Sequence, residues 1–158
     1  MSKKLGYVSL GCAKNLVDTE VMLGALQAND YEITDTLAEA ELIIVNTCTF
    51  IEKAKEESIN TILEVAEYKK FGNCKALIVA GCLSQQYQEE LFAEIPEIDA
   101  LIGTGSWNRI MEAVEATIQE RKRVLITGES KEIYTALTPR IFTFFLFLKF
   151  LLYSISTL

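Results

Sequence analysis

Two short stretches of this chain are apolar at nearly every position, with no alternation: Leu42–Asn46 (LIIVN) and Ala76–Ala80 (ALIVA). A strand with one face in water alternates apolar and polar side chains. A run apolar at consecutive positions must be covered on both faces, as in a parallel sheet layered with helices. Leu5–Leu10, Ala100–Ile102 and Val124–Thr127 read as further strands, and Tyr31–Thr34 as a weaker edge strand. Between them apolar residues recur at helical spacing. The stripes are Val17, Val21, Ala25 and Ala28, flanked by Met22 and Leu26; Ile59, Ile62, Leu63 and Ala66; Tyr87, Leu91 and Ile95; and Met111, Val114 and Ile118. Asn29-Asp30, Gly72-Asn73 and Pro96 mark helix ends. Strand–helix alternation with right-handed crossovers predicts an α/β fold: an open, mostly parallel, doubly wound sheet with helices on both faces.

Composition narrows the chemistry. The 158 residues suffice for one ordinary domain, and with half of them apolar and 23% charged the class is globular. There is no histidine, which removes Ser–His and Cys–His nucleophile pairs, HExxH zinc sites and any imidazole acid–base step. The formal charge of −7 argues against direct nucleic-acid binding, which needs cations to neutralise phosphates, and is compatible with a basic protein partner. The start, MSKKLGYVSLGC, lacks a signal-peptide apolar core, so the chain reads as cytoplasmic. In that compartment four cysteines are expected to be free, metal-bound or catalytic rather than disulfide-paired.

The text changes character near its end. All 22 acids lie at or before Glu132, and residues 141–158 (IFTFFLFLKFLLYSISTL) hold five of the eight phenylalanines. A membrane helix needs about 20 mostly apolar residues, and Lys149 in the middle of this segment would be costly there. We read residues 140–158 as a frameshift or junction product; a membrane-associated helix and an ordinary buried helix are the alternatives. A membrane partner is not expected.

Three of the cysteines fall at equivalent places in the pattern. Cys12 follows the first strand in SLGCAKN, Cys48 follows LIIVNT, and Cys82 follows ALIVAG. The carboxyl ends of parallel strands share one edge, where ligands bind at the topological switch point, so residues far apart in sequence can meet there. Helix N-termini stabilise negative charge and favour thiolate, the metal-binding form. Thiolates without histidine select an iron–sulfur cluster or zinc, and the CxxC pairs usual in structural zinc sites are absent. Against this stands the ordinary behaviour of free cysteine as a small buried hydrophobe. Cys74 precedes its strand, at the opposite edge, and receives no ligand role.

Other motifs are weaker. Gly11-Cys12 and Gly81-Cys82 are not nucleophile elbows, since no base and no GxSxG pattern accompanies them. Gly103-Thr104-Gly105 reads as a plain tight turn. Asn15, Asn46, Thr47 and Ser84 read as helix caps before sulfur partners. Trp107 and Asn108 either line the cysteine edge or pack into the core.

VSLGCAKNLVDTEVMLGAL, IIVNTCTFIEKAKEESI and LIVAGCLSQQY, in this order and spacing, closely resemble the N-terminal domain of the radical-SAM methylthiotransferases. The resemblance covers residues 1–139, expected to form that domain. It implies that Cys12, Cys48 and Cys82 ligate an auxiliary [4Fe–4S] cluster whose open iron handles the transferred sulfur. Gly11-Cys12-Ala13-Lys14-Asn15 is similar to the RimO branch, which methylthiolates an aspartate of a small-subunit ribosomal protein; the tRNA-modifying MiaB branch typically reads Gly-Cys-Gln-Met-Asn. In the family a barrel with CxxxCxxC follows, holding a second cluster and S-adenosylmethionine. No CxxxCxxC occurs in this sequence. The expectation is therefore a domain truncated before the radical-SAM core and inactive alone, unless a barrel joins it in trans. The competing readings are a noncatalytic iron–sulfur module, a MiaB-like fragment and a membrane-tethered thiol protein.

Overall fold

The structure, a computed structural model, describes residues 2–128. The apolar tail read at 140–158 and the domain boundary read at 139 lie outside the described residues. Six strands form one sheet: β1 (Lys3–Ser9), β2 (Tyr31–Ile33), β3 (Leu42–Thr47), β4 (Ala76–Gly81), β5 (Ala100–Ile102) and β6 (Val124–Ile126), in spatial order β2-β1-β3-β4-β5-β6. Every pairing is parallel, with Val8 opposite Val45, Val45 opposite Val79 and Leu101 opposite Leu125. The sheet is thus wholly parallel, and β2 lies at its edge as expected.

The consecutive apolar residues serve two cores because successive side chains point to opposite faces. Leu42, Ile44, Ile78 and Ile102 face one layer, which contains Met22, Leu23 and Leu26 of α1 (Ala13–Gln27) and Ile110, Ala113 and Val114 of α6 (Ile110–Val114). Ile43, Val45, Leu77, Val79 and Leu101 face the other. That layer takes Ile62 and Val65 of α2 (Glu52–Ala66), Tyr68 of α3 (Tyr68–Phe71), Leu83 of α4 (Cys82–Gln86) and Leu91 of α5 (Gln88–Glu94). From β1 the chain turns outward to β2, then returns past β1 to β3 and continues the other way to β6. The connections after β1 and β3 therefore diverge, which opens a crevice at their carboxyl ends.

The helices depart from the sequence reading in phase. Ala28 is exposed just after α1, and Leu63 is 48% exposed, while Leu23 and Val65 are buried. Docking on the sheet selects the stripe Ser58, Ile62, Val65 on α2, and a polar residue joins it because it has bonding partners there. The third expected helix is two, α4 and α5, broken at Tyr87, whose φ of −123° and ψ of 43° leave the helical region. The fourth stripe continues from α6 into a π-helical turn, Glu115–Gln119. The strand expected at Leu5–Leu10 runs Lys3–Ser9, and Leu10 donates its amide to the Asn46 carbonyl at 2.9 Å.

Candidate functional site

The three cysteines predicted to meet do share one edge. Cys12 is the residue before α1, Cys48 follows β3 directly, and Cys82 opens α4 immediately after β4. Since β1, β3 and β4 are adjacent and parallel, their carboxyl ends present all three side by side. The glycines before two of them make the approach possible. Gly11 has φ +92°, and a Cβ there would lie 2.5 Å from Cys48 Cβ and 2.8 Å from its Sγ. Gly81 has φ +98°, and a Cβ would lie 2.5 Å from the Thr47 carbonyl oxygen. Both backbones favour glycine, and at both the neighbouring loop occupies the space a side chain would take.

The thiols differ in environment. Cys12 is exposed, Cys48 buried and Cys82 intermediate. The backbone amides of the first turn of α1, that of Asn15 foremost, hold the Cys12 thiol below its ordinary range without closing a capping hydrogen bond. Burial pushes the Cys82 thiol up, and the neighbouring Cys48 and Cys12 sulfurs add to this as like charges; Lys14 opposes them. Among the described residues, no three His, Cys, Asp or Glu side chains close on a single metal ion. Lys14 is mostly exposed and reaches Asp18 at 3.2 Å, and Phe50, two residues beyond Cys48, is 91% exposed.

Cys74 is elsewhere, as expected. It precedes β4 at the opposite edge, its Sγ donates to the Ala76 carbonyl at 3.2 Å, and burial pushes its thiol up to about 11.

Of the polar residues expected as caps, Thr47 serves a helix start, α4, from outside, and Asn15, Asn46 and Ser84 bond elsewhere. Asn15 Nδ2 donates to the carbonyls of Leu10 (3.0 Å) and Thr47 (2.8 Å). Asn46 Nδ2 donates to the Asn15 carbonyl (2.8 Å) and to Thr19 Oγ1 (3.0 Å). Thr47 Oγ1 donates to the Ala80 carbonyl at 2.6 Å and accepts the Leu83 amide at 3.3 Å. Ser84 Oγ donates to the Val79 carbonyl at 2.8 Å. Capping was the expectation, and where it fails the reason is burial: with no water to serve the main chain where loops cross, side chains bridge between elements. Two participants escaped the sequence reading. Thr19 sits one helical turn after Asn15, and Ser58 clamps Cys48 by accepting its amide at 3.1 Å and donating to its carbonyl at 3.0 Å. The available signal was a serine at a position in phase with Ile62 and Val65. Gly103-Thr104-Gly105 is a tight turn in which the Ser106 amide meets the Gly103 carbonyl at 3.2 Å, and Trp107 packs partly buried against the α1–α6 layer.

Comparison with known proteins places the sequence in a family. Residues 4–103 match the model of the uncharacterized protein family UPF0004. Similar curated proteins bear the name ribosomal protein uS12 methylthiotransferase RimO. That of Syntrophotalea carbinolica is 52% identical over 139 residues, 88% of this chain and 30% of the relative. That of Acetivibrio thermocellus is 59% identical over 115 residues, covering 73% and 25%, and that of Pelotomaculum thermopropionicum 52% over 141, covering 89% and 32%. The chain spans about a third or less of the length of these relatives. By sequence, the chain belongs to the UPF0004 family, the N-terminal domain of the MiaB/RimO methylthiotransferases, with relatives in the RimO branch.

Proposed function

We propose that this domain binds one [4Fe–4S] cluster through Cys12, Cys48 and Cys82, as part of a ribosomal-protein aspartate methylthiotransferase. The reading is supported by the placement of Cys12, Cys48 and Cys82 after the adjacent parallel strands β1, β3 and β4, at one edge of the sheet. The donor set fits the group. Three cysteines with no histidine in the chain are the soft, sulfur-only donor set that an iron–sulfur cluster takes, and the CxxC pairs of structural zinc sites are absent. When bound, such a cluster supplies an iron without a protein ligand, open to an exogenous sulfur.

The chain's own contribution is to hold and tune the ligands. The first turn of α1 favours the Cys12 thiolate, and Lys14 offsets the negative charge gathered between Cys12 and Cys82. Cys48 is buried, and Ser58 holds both its amide and its carbonyl.

S-adenosylmethionine and a second cluster belong to the barrel expected elsewhere in such an enzyme, in one chain or in trans. No CxxxCxxC occurs in these 158 residues, and the radical step is assigned to that barrel rather than to this domain. The substrate is the small-subunit ribosomal protein uS12 that the relatives are named for, and the charge of −7 suits a basic partner. The expected site of action is the cytoplasm, where a ribosomal-protein substrate is met. Among the described residues no helix is long and apolar enough to cross a membrane.

Anaerobic reconstitution tests the ligand set. The full chain should take up about four irons; Cys12→Ala should lose them and Cys74→Ala keep them. Equal iron in both variants overturns the assignment.

A further inference from the structure

Each cysteine-bearing segment is tied down by a buried side chain that spends its hydrogen bonds on main-chain groups. Asn15, on the first turn after Cys12, joins the end of β1 to the end of β3 through Leu10 and Thr47. Thr47, just before Cys48, joins β3 to the end of β4 through the Ala80 carbonyl and to the start of α4 through the Leu83 amide, on either side of Cys82. Ser58 pins both the amide and the carbonyl of Cys48 to α2. Asn15 is 3% exposed, and Thr47 and Ser58 are fully buried. Neither the sheet nor the helices need these side chains. Valine at 47 would suit a buried central strand at least as well, and alanine at 58 would suit a helix. A buried hydroxyl or amide is costly unless paired, so its presence at all three segments indicates a job that apolar residues could not do. The linkage runs from the Cys12 segment through Thr47 to the Cys82 segment with no metal in the path.

We propose that Asn15, Thr47 and Ser58 are positioning residues that hold Cys12, Cys48 and Cys82 at a fixed mutual spacing before iron arrives. The domain then receives its cluster on a preformed edge. This differs from small metal-dependent domains, where binding and folding are one event. The inference rests on the ligand assignment above.

The test uses the full chain and variants Thr47→Val, Thr47→Ser and Ser58→Ala, with far-UV circular dichroism confirming that each folds. In the iron-free wild type, hydrogen exchange followed by NMR should show the Leu83 and Cys48 amides protected, and the Asn15 side-chain amide slowed. After anaerobic loading with iron and sulfide, a chelator should strip iron about tenfold faster from Thr47→Val and Ser58→Ala than from wild type, on the scale of one lost buried hydrogen bond. Thr47→Ser, which keeps the hydroxyl, should behave as wild type. Unprotected Leu83 and Cys48 amides in the iron-free wild type overturn preformation even where iron binds. Loaded Thr47→Val and Ser58→Ala that keep iron as long as wild type overturn the positioning role and leave the ligand assignment standing. A wild type that takes up no iron overturns both.

Discussion

Cys12 and Cys74 are opposite thiols on one small domain. Cys12 is exposed and lowered by backbone amides, whereas Cys74 is buried, donates its S–H to a carbonyl and is raised to about 11. Ionising Cys74 would forfeit that hydrogen bond and place a charge in an apolar layer. Its folded pKa lies above the ordinary value of 9.0, so the unfolded chain releases this proton first as pH rises. The stabilisation is complete below pH 9 and is lost between pH 9 and about 11, a decline of roughly 2–3 kcal/mol from a shift of this size. Urea denaturation from pH 8 to 11 should show Cys74→Ala losing less stability than wild type over that window; parallel curves would refute it. In the iron-free chain, iodoacetamide at pH 7 should alkylate Cys12 before Cys82 and Cys74 last, read by peptide mass spectrometry. Cys12, Cys48 and Cys82 were legible as a set because each follows a strand. Ser58 was not, because a lone serine on a helix is chemically unremarkable until its neighbour across space is known.

At the scale of elements, the strand ends are more demanding than the strand middles. Gly81 must turn with φ +98° while the Thr47 carbonyl passes over it, so Gly81→Ala combines left-handed strain with a clash against main chain that cannot swing away. Strain of this kind costs on the order of 1–3 kcal/mol, and the contact adds to it. We expect Gly81→Ala to lower the urea midpoint by more than 2 kcal/mol equivalent, beyond the about 1 kcal/mol typical of a point substitution. A wild-type midpoint would mean that β4 and Thr47 separate easily. Strand positions were readable to within two residues, β1 being the largest miss, since a parallel strand buried on both faces is apolar at nearly every position. Helix phase was less so. Leu63 shares the apolar period of α2 and is half exposed, because the face that docks is chosen jointly by the sheet and by the Ser58–Cys48 clamp.

For the molecule as a whole, two separate side-chain layers sandwich one sheet, and their largest members (Leu5, Met22, Leu42, Ile43, Ile62, Leu77 and Ile78) are fully buried. Each such side chain is worth about 1.5–3 kcal/mol relative to exposure, and none of them touches the need for a metal. Removing iron from a loaded chain with a chelator should therefore leave the far-UV spectrum intact and the thermal transition cooperative, at a lower midpoint because a ligand of the folded state has been withdrawn. Loss of cooperative melting on chelation would show that iron builds the fold. The prediction separates this domain from zinc-finger-like systems, where the core is too small to stand alone.

The sequence by itself determined the layer architecture, the parallel sheet and the three strand-end cysteines. Each of these follows from local rules: side-chain alternation, helical period and the position of a residue after its own strand. It also carried the family resemblance, which resides in the contiguous motifs around those cysteines. Only the tertiary structure decided that β1 and β3 are neighbours with diverging connections, that Gly11 lies against Cys48, and that Asn15, Thr47 and Ser58 knit the three loops. Those facts join residues 32 to 37 positions apart (10 for Ser58 and Cys48), and a contact across such a gap leaves no mark on the local pattern of either partner.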